Sequence, residues 1–85
     1  MQEIKYTITD PRGIHARPAG QLVKLLKTFG SSVQMGSADK LIDGKHLLSV
    51  MKLSLQQGDT LVLQFTGDDE AAAADAALKF LQENL

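Results

Sequence analysis

Cysteine and tryptophan are absent from this chain of 85 residues, proline occurs twice, and aromatic residues make up 5% of it. The lack of cysteine excludes a disulfide framework, a cysteine nucleophile and a thiolate metal site. No apolar run approaches the roughly 20 residues that cross a membrane, and the first residues do not form a basic and apolar secretion signal. We therefore expect a cytoplasmic protein without membrane insertion.

The length and the net charge of the chain limit its number of domains and its possible partners. A chain of this size hides only roughly 60–65% of its unfolded surface, so its 44% hydrophobic residues are needed for one thin core in one domain, residues 1–85. The net charge of −1 gives no general attraction to nucleic acid or to anionic lipid. The N-terminal third is mildly basic, which favours local contact with an acidic group or an acidic partner.

Hydrophobic periodicity predicts the order β-α-β-β-α-β-α. The strands are predicted at Glu3–Thr9, around Val33 and Met35, at Lys40–Asp43 and at Thr60–Thr66. The helices are predicted from Ala16 to a stop at Gly30, within His46–Leu55, and after Glu70. The core positions of the last helix are predicted as Ala74, Ala77, Leu78 and Leu81. The predicted fold is an α+β two-layer open-faced sandwich, a four-stranded, mostly antiparallel sheet with three helices on one face.

The segment where the first helix begins contains the most reactive groups of the chain. His15 and Arg17 lie together where free backbone N–H groups emerge. A neutral histidine nitrogen is a good nucleophile toward phosphorus, and the N–H groups of Ala16 and Arg17, with the Arg17 guanidinium, are suited to holding phosphoryl oxygens. The alternative is a capping or surface histidine beside a solvated arginine. With only two histidines and no cysteine, we expect no metal site and no cofactor.

The segment Gly13-Ile14-His15-Ala16-Arg17-Pro18-Ala19, together with the length and element order, resembles the HPr family. These are the histidine-containing phosphocarriers of the bacterial phosphoenolpyruvate-dependent sugar phosphotransferase system. The resemblance implies that His15 accepts a phosphoryl group from phosphorylated enzyme I and gives it to an enzyme IIA, with Nδ1 as the phosphorylated atom and Arg17 as the phosphate-binding arginine. It implies a carrier and not an enzyme, and we expect a monomer.

Two further groups of residues have both a structural and a functional interpretation. Three apolar residues at helical spacing are typical of a core, yet they match the positions of an apolar docking patch in the HPr family: Leu47, Leu48 and Met51. Four residues about one turn apart on the first helix are predicted to form a polar and basic rim of that patch: Gly20, Gln21, Lys24 and Lys27. For the two lysines, a solvated helix face is the alternative.

One position departs from the family pattern. His46 occupies the place where many Gram-positive HPr proteins carry a regulatory serine, and an imidazole has no hydroxyl to phosphorylate. Three other functions remain open: a small phosphatase or phosphohistidine hydrolase, a regulatory binding module that has lost phosphotransfer, and a phosphocarrier of the related nitrogen-regulatory branch. The first is weakly supported because no paired-carboxylate motif is recognisable.

Overall fold

A computed structural model describes residues 1–85. In chain order the elements are β1 (Gln2–Thr7), α1 (Ala16–Leu26), β2 (Ser32–Ser37), β3 (Lys40–Asp43), α2 (Leu47–Met51), β4 (Thr60–Thr66) and α3 (Glu70–Asn84). The predicted element order is confirmed. No helix is both long enough and apolar enough to cross a membrane.

The four strands form one sheet in the order β1-β4-β2-β3, and every neighbouring pair is antiparallel. The central strand β4 places Leu63 opposite Ile4 of β1 on one side and Met35 of β2 on the other. Its alternating residues Leu61 and Phe65 are fully buried with Leu63. This confirms the period-2 pattern and the two-layer fold, because one face of the sheet packs against the helices.

The helical layer meets the sheet through one cluster of 16 buried residues. Helix α1 buries Ala19, Leu22, Val23 and Leu26, and α3 buries Ala73, Ala74, Ala77 and Leu81. The small alanines let α3 lie close to its neighbours. The prediction that Leu78 lies in the core is wrong, since it is only half-buried and Ala73 lies there instead. The buried face of α3 is therefore rotated slightly from the face that the sequence indicated.

Helix α1 ends at Leu26, four positions before the predicted stop at Gly30. The hydroxyl and the amide of Thr28 both donate to the Leu25 carbonyl, which turns the chain out of the helix. The Gly30 amide then donates to the Asp69 carboxylate at 2.9 Å. Gly30 therefore does not cap α1, because a side chain distant in sequence binds its amide.

Two other predicted elements are shorter in the structure than the sequence indicated. Strand β1 stops at Thr7 and not at Thr9. Helix α2 covers only Leu47–Met51 of the predicted span, and the backbone at Ser54 has a φ of 54°, which a helix cannot accommodate. The apolar residues that follow α2, Leu53 and Leu55, pack partly against the core as a loop.

Candidate functional site

The loop from β1 into α1 is held by backbone hydrogen bonds on both sides. The Gly13 amide donates to the Asp10 carbonyl at 2.8 Å, and the Ile14 amide donates to the Leu55 carbonyl at 3.0 Å. Gly13 has a φ of +66°, and a Cβ at this position would overlap the Leu55 carbonyl oxygen. The loop thus needs glycine here, and its path fixes where α1 begins.

The far end of α3 also holds this loop. The Leu85 carbonyl accepts hydrogen bonds from the Thr9 amide, the Thr9 hydroxyl and the Asp10 amide, at 2.6, 3.0 and 2.9 Å. The Leu85 side chain belongs to the buried core. The loop that precedes His15 is therefore anchored to the core of the protein through its main chain.

His15 is the N-cap residue of α1, with an extended backbone at φ −132° and ψ 171°. Its carbonyl accepts the first helical hydrogen bond, from the Ala19 amide at 3.0 Å, but its side chain makes no capping hydrogen bond. The amides of Ala16 and Arg17 have no carbonyl partner one turn earlier, and Pro18 has no N–H. Two backbone donors therefore emerge beside a ring that is not occupied with capping the helix.

The His15 ring contacts the Asp10 carboxylate. Nε2 of His15 lies 3.2 Å from Oδ2 of Asp10, and the His15 side chain is 24% exposed. The other carboxylate oxygen, Oδ1, accepts the Arg12 amide at 2.8 Å. That amide hydrogen bond, assisted by His15 and by the Arg12 guanidinium, holds the pKa of Asp10 below its ordinary value. Asp10 is therefore ionised at neutral pH, and its Oδ2 lies within hydrogen-bond distance of the His15 ring.

Arg17 is exposed on the first turn of α1, and none of the ion pairs in the chain involves it. With His15 it borders a shallow depression of about 520 Å³. No hydrophobic side chain lines this depression, which is formed by Asp10, Arg12, His15, Arg17, Pro18, Gln21, Glu83 and Asn84. The structure thus brings the predicted histidine, arginine and helix start together in a polar, open place that suits an anion.

The three predicted patch residues are exposed on α2. Leu47 is 39% exposed, Leu48 64% and Met51 43%, whereas Val50 of the same helix is fully buried. The interpretation of the three residues as core is therefore wrong, and Val50 is the residue that anchors α2. We call Leu47, Leu48 and Met51 the apolar patch.

Helix α1 packs against α2, so the predicted rim lies on the neighbouring helix. Gln21, Lys24 and Lys27 are exposed there. A Cβ added to Gly20 would meet no atom within 4 Å. The fold therefore does not require glycine at this position, and the surface above Gly20 is open.

His46 caps α2 in place of a serine. Its Nδ1 accepts the Ser49 amide at 3.3 Å and lies 2.8 Å from the Ser49 hydroxyl. An imidazole nitrogen thus satisfies one of the free amides at the start of this short helix. The His46 side chain therefore has a capping contact of its own in this fold.

Sequence reasoning missed four residues at the depression, namely Asp10, Arg12, Glu83 and Asn84. Asp10 and Arg12 lie five and three residues before His15, and this nearness in sequence is the one signal that could have pointed to them. Glu83 and Asn84 come from the end of α3, and no pattern in the sequence links them to His15. Only the packing of α3 beside the loop shows their proximity.

Comparison with known proteins gives a consistent result. A family model described as the PTS HPr component phosphorylation site matches residues 2–83. A phosphocarrier protein HPr from Lysinibacillus sphaericus is 40% identical over 83 residues, which cover 98% of this chain and 94% of that protein.

Solved structures agree with this match. A crystal structure of HPr from Thermoanaerobacter tengcongensis has a TM-score of 0.91 at 30% identity, covering 98% of this chain and 93% of that one. A structure described as an HPr dimer from the same organism has a TM-score of 0.77 at 30% identity, covering 98% and 95%.

Proposed function

Because this chain belongs to the HPr family of the phosphotransferase system, whose members are phosphocarriers and not enzymes, we propose a specific transfer route. His15 accepts a phosphoryl group from phosphorylated enzyme I and passes it to an enzyme IIA. Residues 1–85 act as one carrier domain, as a monomer in the cytoplasm. The observation that carries the proposal is the His15 ring at the start of α1, beside Arg17 and two backbone donors.

The proposed chemistry follows from the contacts of the His15 ring. Nε2 faces the Asp10 carboxylate, so the lone pair for attack on phosphorus is on Nδ1. As the new P–N bond forms at Nδ1, the bond between phosphorus and the donor breaks. The amides of Ala16 and Arg17 and the Arg17 guanidinium are suited to holding the phosphoryl oxygens.

The apolar patch is our proposed docking surface for enzyme I and enzyme IIA. Exposed leucine and methionine side chains are unfavourable in water, and their contiguity on one short helix is typical of a contact surface. Gly20, Gln21, Lys24 and Lys27 form the polar and basic rim on α1. Acidic groups on the partners are the complement that this rim favours.

The test is phosphorylation by enzyme I with radiolabelled phosphoenolpyruvate. We expect an acid-labile label on the wild-type protein, its passage to enzyme IIA, and no label on His15→Ala. The matched control is His46→Asn, which changes the other histidine while keeping a good helix cap and should retain the label. Circular dichroism confirms that both variants are folded. An unlabelled wild-type protein, or an acid-labile label on folded His15→Ala, would contradict the proposal.

A further inference from the structure

We propose that Asp10 is a positioning residue that selects which nitrogen of His15 receives the phosphoryl group. The inference rests on the proposed function, and it assigns a task to a carboxylate that lies against the ring. It predicts that the tautomer of His15 is set by the protein and not by the solvent.

The position of Asp10 is fixed by its main chain and its side chain together. Its amide donates to the Leu85 carbonyl at 2.9 Å, and its carbonyl accepts the Gly13 amide at 2.8 Å. In the side chain, Oδ1 accepts the Arg12 amide at 2.8 Å, which directs Oδ2 to Nε2 of His15 at 3.2 Å. The side chain is only 14% exposed. The carboxylate is therefore a preformed acceptor with its second oxygen available for the ring.

An ionised carboxylate accepts hydrogen bonds but donates none. A neutral imidazole paired with it therefore keeps its single proton on Nε2 and leaves the lone pair on Nδ1. The low pKa of Asp10, due first to the Arg12 amide, keeps this acceptor charged at neutral pH. Asp10 thus favours the tautomer that is ready for attack at Nδ1.

The same contact serves both directions of transfer. When Nδ1 attacks, a P–N bond forms to His15, the bond between phosphorus and the donor atom breaks, and the donor atom takes back its electron pair. The His15 ring becomes cationic and keeps its Nε2 proton against Asp10, so no proton enters or leaves. In the onward step the P–N bond breaks and the electron pair returns to Nδ1. A ring that stays protonated at Nε2 leaves as a neutral imidazole, which is a good leaving group.

A carboxylate near a phosphoryl group also repels it, and the neighbouring charges offset this repulsion. The Arg12 Nε lies 3.5 Å from Oδ1 of Asp10, and Arg17 of α1 faces the same depression. Glu83 of α3 is the other acidic group there. Asp10 is separated from Nδ1 by the ring itself, so it contacts the proton-bearing side and not the side where the phosphoryl group is added.

The test compares Asp10→Asn with Asp10→Ala. The asparagine oxygen still accepts the Arg12 amide, but its NH₂ group now donates to Nε2, which moves the ring proton to Nδ1 and blocks the nucleophile. Alanine has no preference for either tautomer. If Asp10 only stabilised the loop, the asparagine variant would be the less damaged of the two. Tautomer selection predicts the opposite order.

Two readouts follow. Long-range ¹H–¹⁵N correlation spectra, recorded at alkaline pH on the neutral ring, should show Nε2–H in wild type and a shift toward Nδ1–H in Asp10→Asn. Initial rates of phosphorylation by enzyme I, and by phosphoramidate as a donor that needs no docking, should fall about tenfold in Asp10→Asn and less in Asp10→Ala. Asp39→Asn, in the exposed β2–β3 turn, is the matched control and should behave as wild type.

The outcomes are separable from those for the proposed function. If enzyme I does not label wild type, the proposed function fails, while the NMR spectra still test the tautomer. A wild-type ring protonated at Nδ1 would overturn the inference. So would Asp10→Asn that accepts phosphoryl groups as fast as wild type, or faster than Asp10→Ala.

Discussion

Two neighbouring residues of α2 face opposite environments, and mutating each to alanine should separate docking from stability. Leu48 is 64% exposed, whereas Val50 is fully buried beneath the same helix. Leu48→Ala should weaken binding to enzyme I without changing stability. Val50→Ala should lower stability and leave the binding of the folded protein unchanged.

The magnitudes follow from burial. Fully burying a leucine side chain is worth about 1.5–3 kcal/mol. Since 64% of Leu48 is still available to a partner, truncation to alanine should cost about 1 kcal/mol of binding, a roughly fivefold rise in Kd. Removing two methyl groups from the closed site around Val50 should cost about 2 kcal/mol of unfolding free energy.

Isothermal titration calorimetry with enzyme I gives Kd, and urea unfolding followed by circular dichroism gives stability. For Val50→Ala we expect the urea midpoint to fall by about 1 M, since m-values of small domains are about 1–3 kcal/mol/M. Leu48→Glu, which brings a charge into the patch, should weaken binding by about 1–3 kcal/mol. A lowered urea midpoint in Leu48→Ala with an unchanged Kd would refute the reasoning and make Leu48 a structural residue.

Four further predictions concern single positions. Arg17→Ala should slow phosphoryl transfer about tenfold while changing the Kd for enzyme I little, because the charge-assisted contacts of Arg17 form with the phosphoryl group. Stopped-flow kinetics measure the transfer rate and calorimetry measures the Kd. Equal losses in transfer rate and in affinity would count against this role. Gly20→Ala should raise the free energy of unfolding by about 0.5–1 kcal/mol in urea titrations, because the added Cβ meets no atom and alanine favours the helix. A loss of stability would contradict this prediction. The Ser31 hydroxyl, followed by the Gly30 amide, lowers the pKa of Asp69 from 3.8, so the contribution of Asp69 to stability is present above pH 3.8 and is lost as the pH falls below it. In Asp69→Asn the dependence of stability on acid pH should therefore flatten. An unchanged pH profile would contradict this. A kinase that phosphorylates the regulatory serine of HPr proteins should add no acid-stable phosphate to this chain, whereas His46→Ser should gain one if the flanking residues suffice for recognition. Mass spectrometry after acid treatment checks both proteins. An acid-stable phosphate on the wild-type protein would refute the prediction.

Local patterns were enough to predict much of the fold. Strand β4 was predicted from Leu61, Leu63 and Phe65, which lie on the face that covers the core, although Val62 between them is buried as well. The stripe of α1 follows from Ala19, Leu22, Val23 and Leu26. The end of α1 was mispredicted because the Asp69 carboxylate, 39 positions from Gly30, accepts the amide that a capping glycine would donate to a carbonyl of the last turn. No window along the sequence contains both residues.

In the candidate site, too, the groups that are close in sequence were predicted, and those that only the fold brings together were not. His15, Ala16 and Arg17 are close in sequence, so their proximity on the first turn of α1 was predictable from spacing. The role of Asp10 depends on the loop geometry that the Leu85 and Leu55 carbonyls impose. The exposure of Leu48 depends on which face of a five-residue helix meets the core, and so short a helix has too few positions for its pattern to show this.

The hydrogen bonds from Thr9 and Asp10 to the Leu85 carbonyl also constrain the order in which the molecule assembles. They join positions 75 and 76 residues apart, and the pairing of β1 with β4 spans 53 to 63 residues. Contacts of such long range close late, because the entropy of loop closure must be overcome first. We therefore expect the loop before His15 to become rigid late in folding, and a growing chain on the ribosome to lack the Leu85 anchor until that residue has been made. The phosphoryl transfer that we propose for His15 would thereby depend on completion of the fold.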